Sequence, residues 1–160
     1  MSFHVVMGVS GCGKSSVAAR LAAAKGGDFL DADDFHPPAN KAKMAAGIPL
    51  QDEDRAGWLD TLNAELKSRA ANARDTFLAC SALKQIYRDR LSAGLPSLGF
   101  IYLKGSREAI RSRLEQRTDH FMPSTLLESQ FSILEEPTGA LTVSIEQSLE
   151  YVVEEILKRI

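Results

Sequence analysis

The sequence predicts a three-layer α/β domain built on a five-stranded parallel sheet, and three observations carry that expectation. Short apolar runs alternate with helical patterns from one end of the chain to the other. The first run leads straight into Gly8-Val-Ser-Gly-Cys-Gly-Lys-Ser15, which has the spacing G-x-x-x-x-G-K-S of a phosphate-binding loop, and a helical pattern follows it. Small and polar residues close the runs at Gly8, Asp31 and Ser81. In parallel sheets ligands bind outside the carboxyl ends of the strands, so these three segments are expected around one cleft.

In chain order, Phe3 to Met7 reads as a buried strand, and the helix after the loop carries Val17 and Leu21 among alanines. Asp28-Phe-Leu-Asp31 is a short second strand ending in the acidic cluster Asp31, Asp33 and Asp34. A turn at Pro37-Pro38 opens a short helix through Asn40, Lys41 and Met44 that stops at Gly47. A long helix begins near Asp52 or Asp54, whose carboxylates suit a helix N-terminus, and Trp58, Leu59, Leu62 and Leu66 mark its buried face. Thr76 to Cys80 is the third strand, Lys84 to Leu91 a helix, and Leu98 to Leu103 the fourth strand. Ser106 to Arg117 is a charged helix, residues 118–123 a loop, and Ser124 to Leu134 a helix ended by Pro137. Leu141 to Ile145 is the fifth strand. The last helix buries Leu149, Val152, Val153, Ile156, Leu157 and Ile160.

A chain of 160 residues fits one domain with a real core, and 44% hydrophobic with 25% charged residues is ordinary for a globular protein. The formal net charge of −2 provides no global field for nucleic acid, so any anion site must be local. Two cysteines without framework spacing, no leader pattern and no membrane-length apolar run predict a cytoplasmic protein with neither membrane nor nucleic-acid partner.

The chemistry starts at the loop. Glycines at 8, 11 and 13 let the backbone wrap a phosphate, and successive N–H groups form an anion nest backed by the helix dipole. Gly8, Val9, Ser10, Gly11, Cys12, Gly13, Lys14, Ser15 and Ser16 are the expected nucleotide contacts, with Lys14 on the β- and γ-phosphates and the Ser15 hydroxyl on Mg²⁺. Asp31 and Asp33 stand two apart and share a face in extended chain. One suits Mg²⁺ through water, and the other suits the proton of a substrate hydroxyl. Arg55, Lys84 and Arg88 bring cations to the same cleft and predict an anionic second substrate. Arg113 and Arg117 precede a polar loop containing His120 and are expected to stabilise charge in the transition state. His36 and His120 have no zinc-ligand spacing. Cys12 lies near a helix N-terminus, where a thiol pKa can fall, so reactivity that bound ATP protects is one expectation; a small residue filling a permissive loop position is the other.

Several stretches together give the chain its resemblance to the gluconokinases of the small phosphate-loop kinase type. They are the loop itself, Leu30-Asp-Ala-Asp-Asp-Phe-His-Pro37, Asn40 with Lys43-Met44, and Gly47-Ile-Pro-Leu50 with Asp52-Glu-Asp-Arg55 and Trp58-Leu59. Cys80-Ser-Ala-Leu-Lys84, Tyr87-Arg88, Phe100-Ile-Tyr-Leu-Lys-Gly105, His120-Phe-Met122, Ser129-Gln-Phe131 and Leu134-Glu-Glu-Pro137 extend it over nearly the whole chain. The resemblance implies ATP-dependent phosphorylation of D-gluconate at its 6-hydroxyl. It also implies a nucleoside-monophosphate-kinase-like phosphate-loop NTPase fold in one domain, residues 1–160, with a lid near residues 113–137, and a homodimer. It makes Asp33 the base or hydroxyl-orienting group and Asp31 a magnesium partner. His36, Asn40, Arg55, Ser81, Lys84 and Arg88 become substrate contacts, and Arg113 and Arg117 phosphate-contacting lid residues. One departure stands in the lid: Thr118-Asp119 occupies the place where members often have Lys-Gly, which replaces a flexible glycine and adds negative charge.

Two rivals remain at this level. A shikimate-type kinase also phosphorylates a hydroxylated carboxylic acid, but a glycine-rich segment is expected where this chain has Ser81-Ala-Leu-Lys84. A nucleotide switch without a small-molecule acceptor leaves the Asp pair and the cationic cluster without a purpose.

Overall fold

The central strand of the sheet is the one that delivers the phosphate loop. The structure, a computed structural model, describes residues 2–116 and 124–160. Five strands, β1 (Phe3–Met7), β2 (Asp28–Asp31), β3 (Thr76–Ala79), β4 (Gly99–Lys104) and β5 (Leu141–Ser144), pair in the order β2-β3-β1-β4-β5, and every pairing is parallel. In register, Val6 lies opposite Ala79 and Met7 opposite Tyr102, so the carboxyl ends of β1, β3 and β4 finish together.

Alternation along the strands divides the core in two. Val6, Phe77, Ala79, Ile101 and Leu103 face one layer, while Val5, Met7, Leu78 and Tyr102 face the other. The first layer is covered by α1 (Lys14–Lys25) and α7 (Leu149–Arg159), through Val17, Leu21, Val152 and Ile156. The second is covered by α3 (Asp52–Ala71) and α4 (Gln85–Ser92), through Trp58, Leu62, Leu66, Tyr87 and Leu91. Three further helices stand around the cleft: α2 (Pro38–Ala45), α5 (Arg107–Glu115) and α6 (Ser124–Ile133). The expected elements are all present, with boundaries shifted by one or two residues, as fraying ends and loose hydrogen bonding produce. The 118–123 loop lies outside the described residues.

Helix ends follow simple capping chemistry. Ser106 accepts from the Ala109 N–H at the start of α5, and Ser148 accepts from the Tyr151 N–H at the start of α7. Helix α1 differs: Gly13 precedes it in the left-handed region, no side chain caps it, and no acid sits in its first turn. Its N-terminal N–H groups and dipole are thereby kept for an external anion.

Candidate active site

The phosphate loop is fixed from both sides by close packing. Gly11 has φ +85°, and a Cβ there would stand 2.9 Å from Leu114 Cγ of α5, so both backbone angle and space require glycine. Gly13 has φ +92°, and the position of its absent Cβ is 3.5 Å from Nη1 of Arg113, which brings that guanidinium over the loop. Arg113 is anchored from behind by donating Nη2–H to the Ile145 carbonyl. The Ser10 N–H donates to Oε1 of Gln130 at 2.8 Å, and the Gln130 amide donates back to the Ser10 hydroxyl at 3.1 Å. Helix α6 thus holds the loop in register.

Asp31 ends β2 and works in two directions. Its Oδ1 accepts from the Asp33 N–H at 3.0 Å, capping a 3-10 turn over Ala32–Phe35, and its Oδ2 accepts from the Ser15 hydroxyl at 3.1 Å. Asp33 is therefore presented by a capped turn rather than by extended chain, which corrects the shared-face expectation. The carboxylate of Asp31 beside the Ser15 hydroxyl gives a pair of hard oxygen donors, suited to a Mg²⁺ ion that takes its remaining ligands from water and phosphate.

A cavity of about 330 Å³ opens between these elements. Ser10 and Lys14 form its phosphate end, and Asp33, His36 and Ser81 stand beside them. Arg55 and Lys41 supply cations, while Trp58, Met44 and Leu50 form apolar wall. His36 is buried, with its ring stacked on Trp58 at 3.9 Å between centroids and 15° between planes. Burial first, then the positive charges of Arg55 and Lys41, push its pKa down to about 4.

Arg55 joins the cavity lining to a charged network. Arg55 donates to the Leu50 carbonyl at 2.7 Å and to the Tyr87 hydroxyl at 2.8 Å. Tyr87 and Lys84 both donate to Oδ1 of Asp52, which holds that carboxyl below its usual range. Lys84 thus stands one residue behind the cavity wall, bound to Asp52.

The chain is similar to known proteins over most of its length. The AAA domain family matches residues 3–137. The thermoresistant gluconokinase of Escherichia coli K12 is 47% identical over 154 residues, covering 94% of this chain and 88% of that protein. The probable gluconokinase of Mus musculus is also 47% identical, covering 91% of this chain and 90% of that protein. The chain belongs to the gluconokinase family. Among solved structures, a gluconokinase from Sinorhizobium meliloti 1021 is 44% identical with a TM-score of 0.90, covering 98% of this chain and 90% of that one. A shikimate kinase from Aquifex aeolicus shares the phosphate-loop kinase fold alone, at 17% identity and a TM-score of 0.61.

Within this gluconokinase-family cleft the expected residues divide. Lys14, Asp33, His36, Arg55 and Ser81 line the large cavity, and Asn40 is buried directly behind His36. Within the phosphate loop Val9 and Cys12 are buried, and Ser16 is exposed in the first turn of α1. Arg88 lies elsewhere: it is 3% exposed, and its guanidinium donates to the Ala82 and Glu135 carbonyls at 2.7 and 2.9 Å and to the Gln85 amide oxygen. Its fork is spent on backbone, so the geometry gives it the work of joining the Ser81 segment to the chain after α6. The reactive-thiol expectation for Cys12 is overturned, because complete burial pushes that thiol up despite Lys14 nearby. Arg117 and His120 lie outside the described residues.

Residues not singled out by sequence reasoning include Gln130, Lys41 and the Asp52–Tyr87 pair. Gln130 sits in the Ser129-Gln-Phe131 segment, whose particularity was the available signal. Trp58 was assigned only to a buried helix face, yet its indole donates to the Ala32 carbonyl and its ring carries His36.

Two stability predictions follow from these contacts. Arg88→Leu strands two carbonyls and should lower unfolding free energy by about 3 kcal/mol in urea titration, whereas Lys84→Met at the partly exposed pair should move it by less than about 1 kcal/mol. His36 binds fewer protons folded than unfolded between its native value of about 4 and the ordinary imidazole value of about 6.5. Its contribution is complete above about pH 6.5 and is lost as pH falls towards 4, so His36→Gln should flatten that part of the pH–stability curve by about 3 kcal/mol.

Proposed function

We propose that the protein transfers the γ-phosphoryl group of ATP to the 6-hydroxyl of D-gluconate, producing 6-phospho-D-gluconate and ADP. The observation that carries this reading is one cavity lined by the phosphate-loop residues Ser10 and Lys14, by Asp33 and by Arg55. Those groups suit an acceptor that carries both a hydroxyl and a carboxylate. The identities of 39–47% to gluconokinases and probable gluconokinases over most of the chain support the same acceptor.

In this reading Lys14 and the loop N–H groups hold the β- and γ-phosphates, and Arg113 adds positive charge above them. Ser15, with Asp31 behind it, would hold Mg²⁺, which would neutralise phosphate charge. Arg55 grips the gluconate carboxylate, with Lys84 and Asp52 setting its local field, while Ser81 and His36 face the polyol. Asp33 accepts the proton of the 6-hydroxyl as its oxygen attacks the γ-phosphorus and the bond to the leaving ADP oxygen breaks. The apolar wall of Trp58, Met44 and Leu50 limits water, which otherwise competes as nucleophile. We assign residues 113–137 to a lid, on the support of the Gln130–Ser10 bonds and the Arg113 anchor. A cytoplasmic homodimer is part of the same reading; the free, buried Cys12 and Cys80 suit a reducing compartment, and no described helix is long and apolar enough to cross a membrane.

Purified protein with Mg-ATP should release ADP rapidly when D-gluconate is added, and only slowly with shikimate, a nucleoside monophosphate or no acceptor. Stimulation by another acid in place of gluconate would reject the substrate. Asp33→Asn should lower kcat by about 10²–10⁴-fold with little change in the KM for ATP, because a general base acts on the transferred proton and not on nucleotide binding.

A further inference from the structure

His36 closes the turn that presents Asp33, and its ring is held at one face and one edge. One face stacks on Trp58, and the Trp58 indole N–H is itself tied to the Ala32 carbonyl of that turn at 2.8 Å. The edge is set by Asn40, which is 3% exposed. Nδ2 of Asn40 lies 2.8 Å from the Asp54 carbonyl oxygen and 3.2 Å from Nδ1 of His36. A backbone carbonyl only accepts, so the Asn40 atom facing it must be the amide nitrogen, which has a second hydrogen to give. That hydrogen meets Nδ1 of His36, which must then carry its lone pair. A neutral imidazole with an accepting Nδ1 has its proton on Nε2. Burial beside Arg55 and Lys41 favours the neutral ring. Nε2 stands 3.9 Å from Oδ1 of Asp33, and both side chains line the large cavity.

We propose that His36 is a positioning residue for phosphoryl transfer: Asn40 locks it as the Nε2–H tautomer, and that N–H holds one carboxylate oxygen of Asp33 so that the other faces the acceptor hydroxyl. The role rests on the reading of Asp33 as the base. A shift of about 1 Å closes the present gap to hydrogen-bond distance. In the step itself the 6-hydroxyl proton passes to the carboxylate of Asp33 at its second oxygen, and His36 keeps its own proton throughout. The inverted tautomer would set a ring lone pair against the carboxylate and turn the base away.

Two measurements test this on the full chain. The protein contains three histidines, so long-range ¹H–¹⁵N spectra of the labelled wild type can be assigned ring by ring. His36 should show a protonated Nε2 and an unprotonated Nδ1 at neutral pH; the opposite tautomer overturns the proposal without reference to any substrate. In turnover with D-gluconate, His36→Phe keeps the stacking surface on Trp58 but has no donor, and kcat should fall about 10–100-fold with the KM for ATP unchanged. His36→Gln places an amide N–H near the Nε2 position and should recover most of that loss. A purely structural ring would give the reverse order, with Phe the better substitute. Full kcat in His36→Phe, or no advantage of Gln over Phe, overturns the proposal. If wild type shows no turnover with gluconate, the functional reading fails, while the spectrum still decides the tautomer.

Discussion

The cleft depends on one carboxylate. Asp31 reaches the Ser15 hydroxyl with one oxygen and the Asp33 N–H with the other, so it joins the phosphate loop to the turn that bears the acid. These two segments leave different strands, β1 and β2, that are separated in the sheet by β3. Parallel register brings their carboxyl ends to the same edge, but register alone leaves side chains several ångströms from a shared purpose. The bridging carboxylate closes that gap. It also explains why the acid that looks suited to metal comes two residues before the acid suited to proton transfer: the first caps the turn that aims the second.

Cations are distributed by the same economy. The chain has a net charge of −2, so an anionic acceptor meets no general attraction and must be held by local charge. Arg55 offers such charge at the cavity wall, where it donates to the Leu50 carbonyl and the Tyr87 hydroxyl. Lys84 is tethered to Asp52 beside it, and Arg88 is withdrawn into the core to satisfy backbone carbonyls. Three basic residues that look equivalent in sequence therefore do three different jobs. Burial decides which is which, since a guanidinium with 3% exposure is fully committed to its partners.

Much of the fold was legible because its signals are local. Strand alternation, helical spacing at Trp58, Leu59, Leu62 and Leu66, and the glycine pattern of the loop are each carried within one segment. The nucleotide end of the cleft was legible for the same reason. What escaped were bonds between distant segments, such as Gln130 to Ser10 across 120 residues and Tyr87 to Asp52 across 35. No periodicity announces them. The fate of Cys12 escaped for a related reason: helix-terminus electrostatics favour a thiolate, but α5 and the core bury the sulfur, and desolvation outweighs the local field.

The Ser10–Gln130 pair shows how contacts within the chain support the phosphate loop. A nest of inward N–H groups is electrostatically strained when no anion fills it, because like ends of several dipoles converge. In this loop the Ser10 N–H is given to the Gln130 oxygen, while the Gln130 amide donates to the Ser10 hydroxyl. The side chain is a neutral acceptor, weaker than a phosphate oxygen, so it supports the loop without competing strongly for its ligand. Leu114 packed against Gly11 adds a steric support on the neighbouring residue. Helices α5 and α6 thus hold the loop from two sides, α5 through Leu114 at Gly11 and Arg113 at Gly13, and α6 through Gln130 at Ser10.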